Sequence, residues 1–385
     1  MPLNSFSALS QIHQVVIFPG ISLVDSIAPI QDQRFAIQRV ILAAIKGLEP
    51  QARRVSAFLH SRGIETQSVD VPPENSTKAS IEFLCSVFCT LDPSSTVINA
   101  SGLDPYWAVC VYRAAQRHNL GMFSIHPDSD ALFWLNTPAE FDWPEFNIMD
   151  RLSLSGYFRL NGYQLQEAKY TLNRRDPRIE KAAAQFAEMA LKKPSQVHAL
   201  NRLIAKMAPD NPLCTHLPYE GSATQLQWLA DAGILTITDS GHLLFSDAEN
   251  RAFFAGGWLE VHVFAELAAL VQELGIQDAA TGVKVVSESE VGSEFDLAVL
   301  YNNQLYLAEC KARAPAGKAN GIGMETLFKI DSLVDHNYLN ADGLIVSLSA
   351  PTHVERSRAA LQDIDIISAA DLHQLRSRLK TWLQG

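Results

Sequence analysis

Residues 294–311 read Glu294-Phe295-Asp296-Leu297-Ala298-Val299-Leu300-Tyr301-Asn302-Asn303-Gln304-Leu305-Tyr306-Leu307-Ala308-Glu309-Cys310-Lys311. Two apolar runs flank an Asn-Asn pair, and asparagine tolerates the positive backbone angles that a two-residue hairpin turn demands. With Asn302 and Asn303 as the loop, Tyr301 faces Gln304 and the register of both strands is fixed. Counting back puts Asp296 opposite Glu309 and Glu294 opposite Lys311, and facing Cβ atoms on one side of such a pair lie about 4.5–5.5 Å apart. Lys311, two positions beyond Glu309, shares its face, while Cys310 points away. Two carboxylates this close, on strands otherwise made of Leu297, Ala298, Val299, Leu305, Leu307 and Ala308, repel each other unless a cation lies between them. The alternative, a plain Glu309–Lys311 ion pair, leaves charge at the end of an apolar central strand without a reason. A hard divalent ion held by oxygen ligands resolves the conflict. It activates water and stabilises charge on a phosphate, while the lysine orients or deprotonates the nucleophile or supports the developing negative charge.

Outward from this hairpin, Val283–Ser287 is a further strand, and Gly256-Gly257-Trp258-Leu259-Glu260 opens a long helix whose apolar positions include Val261, Phe264, Leu267, Leu270, Val271 and Leu274. Glu260 falls in its first turns. Downstream, a helix over Met324–Val334 carries Lys329; strands at Gly343–Leu348 and Asp365–Ile367 and helices around Val354–Leu361 and Ala369–Leu383 complete an α/β core.

The first third alternates apolar runs with helical periods: strands at Ile12–Phe18, Val40–Ile45, Ile64–Val71, Thr96–Asn99 and Gly121–Ile125, helices at Glu49–Ser61, Ser76–Leu91 and Pro105–His118. This order predicts a doubly wound parallel sheet with right-handed crossovers. Ligands collect at the carboxyl ends of such strands, which makes Gly20, Ser22, Ser101, Gly102 and Asp104 the candidates; ordinary turn duty is the competing role. No G-x-G-x-x-G follows a strand, and Gly317-Lys318 lacks the rest of a Walker A loop, so neither a dinucleotide cofactor nor ATP hydrolysis is supported. His126, Asp128 and Asp130 alternate around Pro127 and Ser129, as a solvated turn does.

Between these parts, Leu132–Gln166 is aromatic-rich and reads as a small hairpin and a packing strap, and Arg178–Lys192 is helical. Residues 174–206 hold eight basic and three acidic side chains. An amphipathic helix over Ala223–Ala232 leads to a hairpin of Ile234–Ile237 with Leu243–Phe245, which resembles a winged helix. Its helix offers Gln225, Gln227 and Asp231 but no Lys or Arg, a poor surface for reading DNA.

Composition sets limits on all of this. The chain has 385 residues, 42 acidic against 31 basic, net charge -11, so nucleic acid is held locally rather than by a wholly basic surface. From Ser246 onward there are 19 acidic and 11 basic residues, which predicts weak and strongly salt-dependent binding to a polyanion. Five scattered cysteines without a CxxC pair suggest neither a disulfide framework nor a zinc ribbon. The first basic residue is Arg34 and no apolar run approaches a membrane span, so a cytoplasmic protein without signal peptide or membrane partner is expected.

An aspartate, a glutamate thirteen positions later in a Glu-x-Lys, and a glutamate on a preceding helix resemble the PD-(D/E)xK nucleases of the restriction-endonuclease-like fold. The resemblance implies that Asp296, Glu309 and Glu260 are metal ligands for Mg2+ or Mn2+, that Lys311 is the catalytic lysine, and that Lys329 and Glu294 are accessory. The full order, from doubly wound domain through winged-helix-like connector to Gly-Gly-Trp-Leu-Glu, Glu-Phe-Asp and Glu-Cys-Lys, is similar over nearly the whole chain to the CRISPR-associated CARF-domain nucleases of the Can2 and Card1 type. That similarity implies a CARF-like sensor at 1–150, a connector at 151–250 and a nuclease domain at 251–385. It also implies a homodimer in which a cyclic oligoadenylate switches on metal-dependent cutting of DNA, RNA or both, as an antiviral effector. Where the family commonly places a Gly-Gly-Thr-Lys-like turn, this chain has Asn99-Ala100-Ser101-Gly102-Leu103-Asp104, and an aspartate in place of a cation weakens the hold on a ligand with several phosphates. Two other functions fit parts of the pattern: an ungated repair or restriction nuclease, and a nucleotide-responsive winged-helix regulator on a non-cutting nuclease scaffold.

Overall fold

The structure, a computed structural model, describes residues 9–20, 23–73, 76–126, 129–137, 144–149, 151–204, 206–208, 210–221, 226–312, 321–335 and 341–385. Ser22, Asp128, Trp143, residues 222–225 and Gly317-Lys318 therefore lie outside the described residues. Two compact units emerge, residues 1–165 with 286–291, and residues 166–285 with 292–385.

In the first unit β1 (Gln14–Ile17), α1 (Leu23–Gln31), β2 (Arg39–Ile45), α2 (Glu49–His60), β3 (Glu65–Val71), α3 (Thr77–Phe88), β4 (Thr96–Asn99), α4 (Pro105–Arg117) and β5 (Gly121–Ile125) alternate along the chain. The sheet order is β3-β2-β1-β4-β5, parallel throughout, as the alternation of the sequence predicts. The aromatic-rich stretch supplies more than a strap: β6 (Ala131–Asn136) and β7 (Phe146–Asn147) extend the same sheet antiparallel from β5, and α5 (Leu154–Leu160) follows. Val16, Phe18, Ile41 and Ile98 pack with Trp107, Cys110 and Val111 of α4 on one side of the sheet.

The sequence pattern leaves α1 unassigned, because Pro29 sits inside it and a proline cannot give the N–H that would reach the carbonyl of Asp25. That carbonyl is satisfied from outside the helix: Asn99 Nδ2 donates to Asp25 O at 2.9 Å and lies 3.4 Å from Ser26 O. Residues 286–291 group with this unit, and there Arg54 donates to both oxygens of Glu288, at 2.9 and 2.7 Å.

The second unit begins within β8 (Tyr163–Glu167) and continues through α6 (Pro177–Lys192), α7 (Pro194–Ile204), β9 (Met207–Ala208), β10 (Asn211–Thr215), α8 (Gln227–Asp231), β11 (Leu235–Ile237) and β12 (Leu243–Phe245). The β11–β12 hairpin pairs as expected, Leu235 with Phe245 and Ile237 with Leu243, but β10 and β9 add to it in a four-stranded sheet ordered β11-β12-β10-β9. Then come α9 (Ala248–Ala252), α10 (Trp258–Ala268), α11 (Val271–Leu274), β13 (Asp278–Ser287), β14 (Gly292–Tyr301), β15 (Gln304–Lys311), α12 (Met324–Asp335), β16 (Ala341–Ser347), α13 (His353–Leu361), β17 (Ile364–Ser368) and α14 (Leu375–Gln384).

A six-stranded sheet ordered β17-β16-β15-β14-β13-β8 forms its centre, antiparallel between β14 and β15 and parallel from β15 to β17. One face, with Leu297, Val299, Ala308, Leu344 and Val346, is buried with Trp258, Phe264, Phe186 and Leu379 from α10, α6 and α14. On the other, Ile345 meets Leu327 and Ile330 of α12 and Ala359 of α13. Among the described residues no helix is long and apolar enough to cross a membrane.

Candidate active site

The Asn-Asn turn is built as its sequence requires. Asn302 and Asn303 have φ of 46° and 56°, and Tyr301 pairs with Gln304, Val299 with Tyr306 and Leu297 with Ala308. Gln277 braces the tip: its side chain accepts from Asn303 N at 2.7 Å and donates to Asn303 Oδ1 at 2.9 Å. Asp296 and Glu309 stand one step past the last of those pairs. Asp296 Oδ2 reaches across the ladder to accept the Cys310 N–H at 2.7 Å.

Glu309 is 2% exposed, and both its oxygens are covered by lysines. Lys311 Nζ lies 2.5 Å from Oε1, confirming that positions 309 and 311 share a face, and Lys329 Nζ, carried by α12, lies 2.7 Å from Oε2. Cys310 turns to the opposite face, against the α10 side of the core. Burial lifts its thiol well above the ordinary range, and the neighbouring carboxylates add to the effect. Burial works against the charged form of Lys311, but the hydrogen bond to Glu309 together with the negative charges of Glu309 and Asp296 outweighs it, and its ammonium is held more firmly protonated than usual.

Glu260 arrives differently from the sequence expectation. The helix does not open at Gly256: α9 runs into a wide π-type turn at Phe253–Gly257 and only then into α10. Gly256 takes φ +143°, an angle that an L side chain rarely adopts, and a Cβ there would stand 3.3 Å from the Cβ of Ala312, just beyond Lys311. The turn thereby admits the helix to the Glu309–Lys311 end of β15. The expected single helix also ends earlier, at Ala268, with Leu270 in the break before α11.

Electrostatics register how crowded these acids are. Burial first, and then the repulsion of Asp296, Glu309 and the exposed Glu294, push the Glu260 carboxyl up to about 8, against the pull of Lys169. Burial and the repulsion of Glu309 push Asp296 up to about 6, although the Cys310 N–H, Lys311 and Lys329 favour its charged form. Glu260, Asp296, Glu294, Glu309, Lys311 and Lys329 are thus brought into one electrostatic neighbourhood, four of them expected from the hairpin register and Glu260 and Lys329 from the family resemblance.

Three carboxylates with surplus negative charge offer only hard oxygen donors, the set that suits a small divalent cation. As the side chains stand, no three His, Cys, Asp or Glu groups among the described residues converge closely enough to hold an ion. The oxygens that would do so are engaged by Lys311, Lys329 and the Cys310 amide.

Two supports of the site carry no sequence signal. Glu355 accepts the N–H groups of Ile322, Gly323 and Thr352 at 3.2, 2.8 and 2.8 Å and the Thr352 hydroxyl at 3.0 Å, fixing the chain that leads into α12 and its Lys329. Asn201 of α7 donates to the carbonyl of Ala312 at 3.3 Å, which places that helix beside the end of β15. The basic count over residues 174–206 overstates the free charge. Arg175, Arg178 and Lys192 are paired with Glu180, Asp176 and Glu188, and Arg174 turns to the carbonyls of Ala168 and Lys169. Lys181, Lys193, Arg202 and Lys206 are exposed.

In the first unit the candidate ligand residues gather where β1 and β4 end. Gly20 is so close to Gly102 that an added Cβ would lie 2.1 Å from the Gly102 carbonyl, and Gly102 has φ +79°. Asn99 Oδ1 accepts from Ser101 N at 2.9 Å, the Ser101 hydroxyl accepts from Ile125 N at 3.0 Å, and Asp104 caps α4 by accepting from Trp107 N at 3.0 Å. These side chains shape the turn. Ser22 lies outside the described residues.

Residues 247–385 match the family model described as the Card1-like endonuclease domain. Protein VC1899 from Vibrio cholerae superposes with a TM-score of 0.83 at 24% identity, over 96% of this chain and 98% of that one. Can2 from Sulfobacillus thermosulfidooxidans, solved with cyclic tetra-adenylate, gives 0.77 at 19% identity over 99% of each chain. A type III CRISPR defence DNA nuclease activated by cyclic oligoadenylate gives 0.58 at 17% identity, over 95% of this chain but 51% of that one. These likenesses establish a shared fold. No curated protein matches the chain.

Proposed function

We propose that this protein is a metal-dependent nuclease that hydrolyses phosphodiesters of DNA, RNA or both, and that a cyclic oligoadenylate bound at the strand ends of residues 1–150 switches it on. One observation carries the proposal: Asp296, Glu309 and Lys311 meet at the open end of a single hairpin, next to Glu260, within the stretch that matches an endonuclease domain. In this reading residues 251–385 cut, residues 151–250 connect, and two chains pair through their sensor domains.

Glu260, Asp296 and Glu309 would hold Mg2+ or Mn2+, which supplies Lewis acidity toward a phosphate oxygen and an acidified water. The raised carboxyls support this assignment, since a divalent charge would offset the burial and mutual repulsion that raise them. With Glu309 engaged by a metal, Lys311 would be free to offer a protonated amine to the phosphate and support its growing negative charge. Lys329 keeps the second Glu309 oxygen and so fixes the orientation of the ligand carboxylate. Exposed Arg202 and Lys206, on and beside the helix bonded to Ala312, offer backbone phosphates a local positive surface in an otherwise acidic chain.

The sensor assignment rests on topology and on the similarity to Can2, which was solved with cyclic tetra-adenylate. Gly102 presents exposed backbone at the end of β4, with Gly20 packed against it after β1, the place where open α/β sheets receive ligands. The test is incubation of purified protein with manganese, supercoiled plasmid and single-stranded RNA, with and without cyclic tetra-adenylate, beside Lys311→Ala. Cleavage only with the ligand, absent in the variant, is the expected result. Cleavage regardless of ligand removes the gating, and a variant as active as the parent removes the site.

A further inference from the structure

Lys169 lies outside every motif of the hairpin and belongs to the short connector between β8 and α6. Its backbone is tied to β13: Lys169 N donates to Thr281 O at 2.9 Å, Thr281 N donates to Tyr170 O at 3.0 Å, and Arg174 Nε holds the Lys169 carbonyl at 2.9 Å. Its side chain then runs across Gly282. A Cβ at that glycine would stand 2.6, 2.8 and 3.0 Å from the Cδ, Cγ and Cε of Lys169, so the absence of a side chain there is what makes room for the lysine stem. Gly282 also has φ +55°, and both the angle and the contact favour glycine.

The position of Gly282 relative to the acids follows from the β13–β14 ladder. Ser287 N donates to Val291 O and Gln277 N to Leu300 O, both at 2.9 Å. Between these two bonds of an antiparallel pair, Gly282 comes level with Phe295 and Asp296. The lysine stem therefore crosses the sheet beside the metal-ligand candidates, and the charge at its end is felt at Glu260. Lys311 and Lys329 each sit on an oxygen of Glu309, whereas Lys169 is exposed and takes part in none of the ion pairs found among the described residues.

We propose that Lys169, laid over Gly282, is a phosphate-binding residue of the nuclease site, holding a backbone phosphate of the nucleic acid beside the acids of β14. The inference rests on the nuclease reading for its setting but makes a separate claim, that this ammonium contacts substrate. A polyanion entering a site with three carboxylates needs a cation outside the carboxylate cluster, and a lysine with a free ammonium and a fixed stem supplies a point charge there.

The experiment compares the full-length parent protein with Lys169→Met, Lys169→Arg, Gly282→Ala and Lys311→Ala. It measures binding of a fluorescein-labelled single-stranded 20-mer, as DNA and as RNA, across a salt series, together with its cleavage in manganese with and without cyclic tetra-adenylate. Lys169→Met is expected to weaken binding by ~3- to 10-fold and to reduce the magnitude of the log–log salt slope by about 0.7, the loss of one phosphate contact on a single strand. Lys169→Arg keeps the slope, and Gly282→Ala, which displaces the stem, follows Lys169→Met. An unchanged slope in Lys169→Met overturns the proposal, including the case where the lysine only offsets the charge of Glu260. If the parent and Lys169→Met share one slope while Lys311→Ala alone stops cleavage, the nuclease reading stands without Lys169. If the parent does not cut even with cyclic tetra-adenylate but the slope still falls in Lys169→Met, the phosphate contact stands and the hydrolytic reading falls.

Discussion

The raised carboxyls make the metal-free protein lose stability as the solution becomes alkaline. Glu260 moves from 4.5 to about 8 and Asp296 from 3.8 to about 6 on folding. Below about pH 3 both groups are protonated whether the chain is folded or not. Between about pH 4.5 and 8 the unfolded chain has released the Glu260 proton while the folded chain still holds it, so stability falls steadily with pH across that window. At about 1.4 kcal/mol per tenfold of acidity, Glu260 accounts for about 5 kcal/mol and Asp296 for about 3. Each repels the other, so the joint effect lies between about 5 kcal/mol and their sum. For a unit of this size that is roughly 10–30 °C in melting midpoint. Thermal unfolding in EDTA at pH 5.0 and 8.5, for the parent and for Glu260→Gln, isolates the effect. The glutamine variant is expected to melt higher than the parent at pH 8.5 and to show a much flatter profile. Manganese is expected to raise the parent's midpoint more at pH 8 than at pH 5, since ligands must be deprotonated to bind it. Parent and Glu260→Gln profiles that run parallel from pH 5.0 to 8.5 would refute the picture of a crowded, over-charged acid cluster.

Other consequences are sharper in place than in pH. Phe186 stacks on Trp258 with centroids 5.4 Å apart and meets Phe254 edge-on at 5.3 Å, so Phe186→Ala is expected to cost about 3–5 kcal/mol in urea unfolding and to loosen α10. Glu355→Ala strands the amides of Ile322 and Gly323, and a loss of about 2–4 kcal/mol is expected, with cleavage falling as α12 and Lys329 lose their fixed approach.

What the sequence discloses and what it hides divides along contact distance. The register that joins Asp296 to Glu309 is local, set by two asparagines and strand alternation, and the order of residues is enough to read it. The parallel order of β1 to β5 follows from alternation and connection length. By contrast, α1 escapes because Pro29 breaks its pattern and the missing bond is supplied by Asn99, 74 residues away from Asp25. Lys169 and Glu355 act across sequence gaps that no periodicity records. The basic segment is less free than its composition suggests, because a count of charges leaves out the neighbours that pair them.

The turn at Asn302 and Asn303 also limits how this protein can vary in length. A hairpin that lost or gained one residue at its tip would rotate one strand against the other and exchange the two faces of the sheet. Leu307 and Ala308 would trade places with respect to the core, and Glu309 and Lys311 would swing to the side now taken by Cys310. Each side chain would still be present, and the chain would differ by a single residue, yet the acids would no longer meet. Length at this tip is therefore as strictly set as the identity of the acids themselves, and variants arising by insertion or deletion can accumulate only elsewhere.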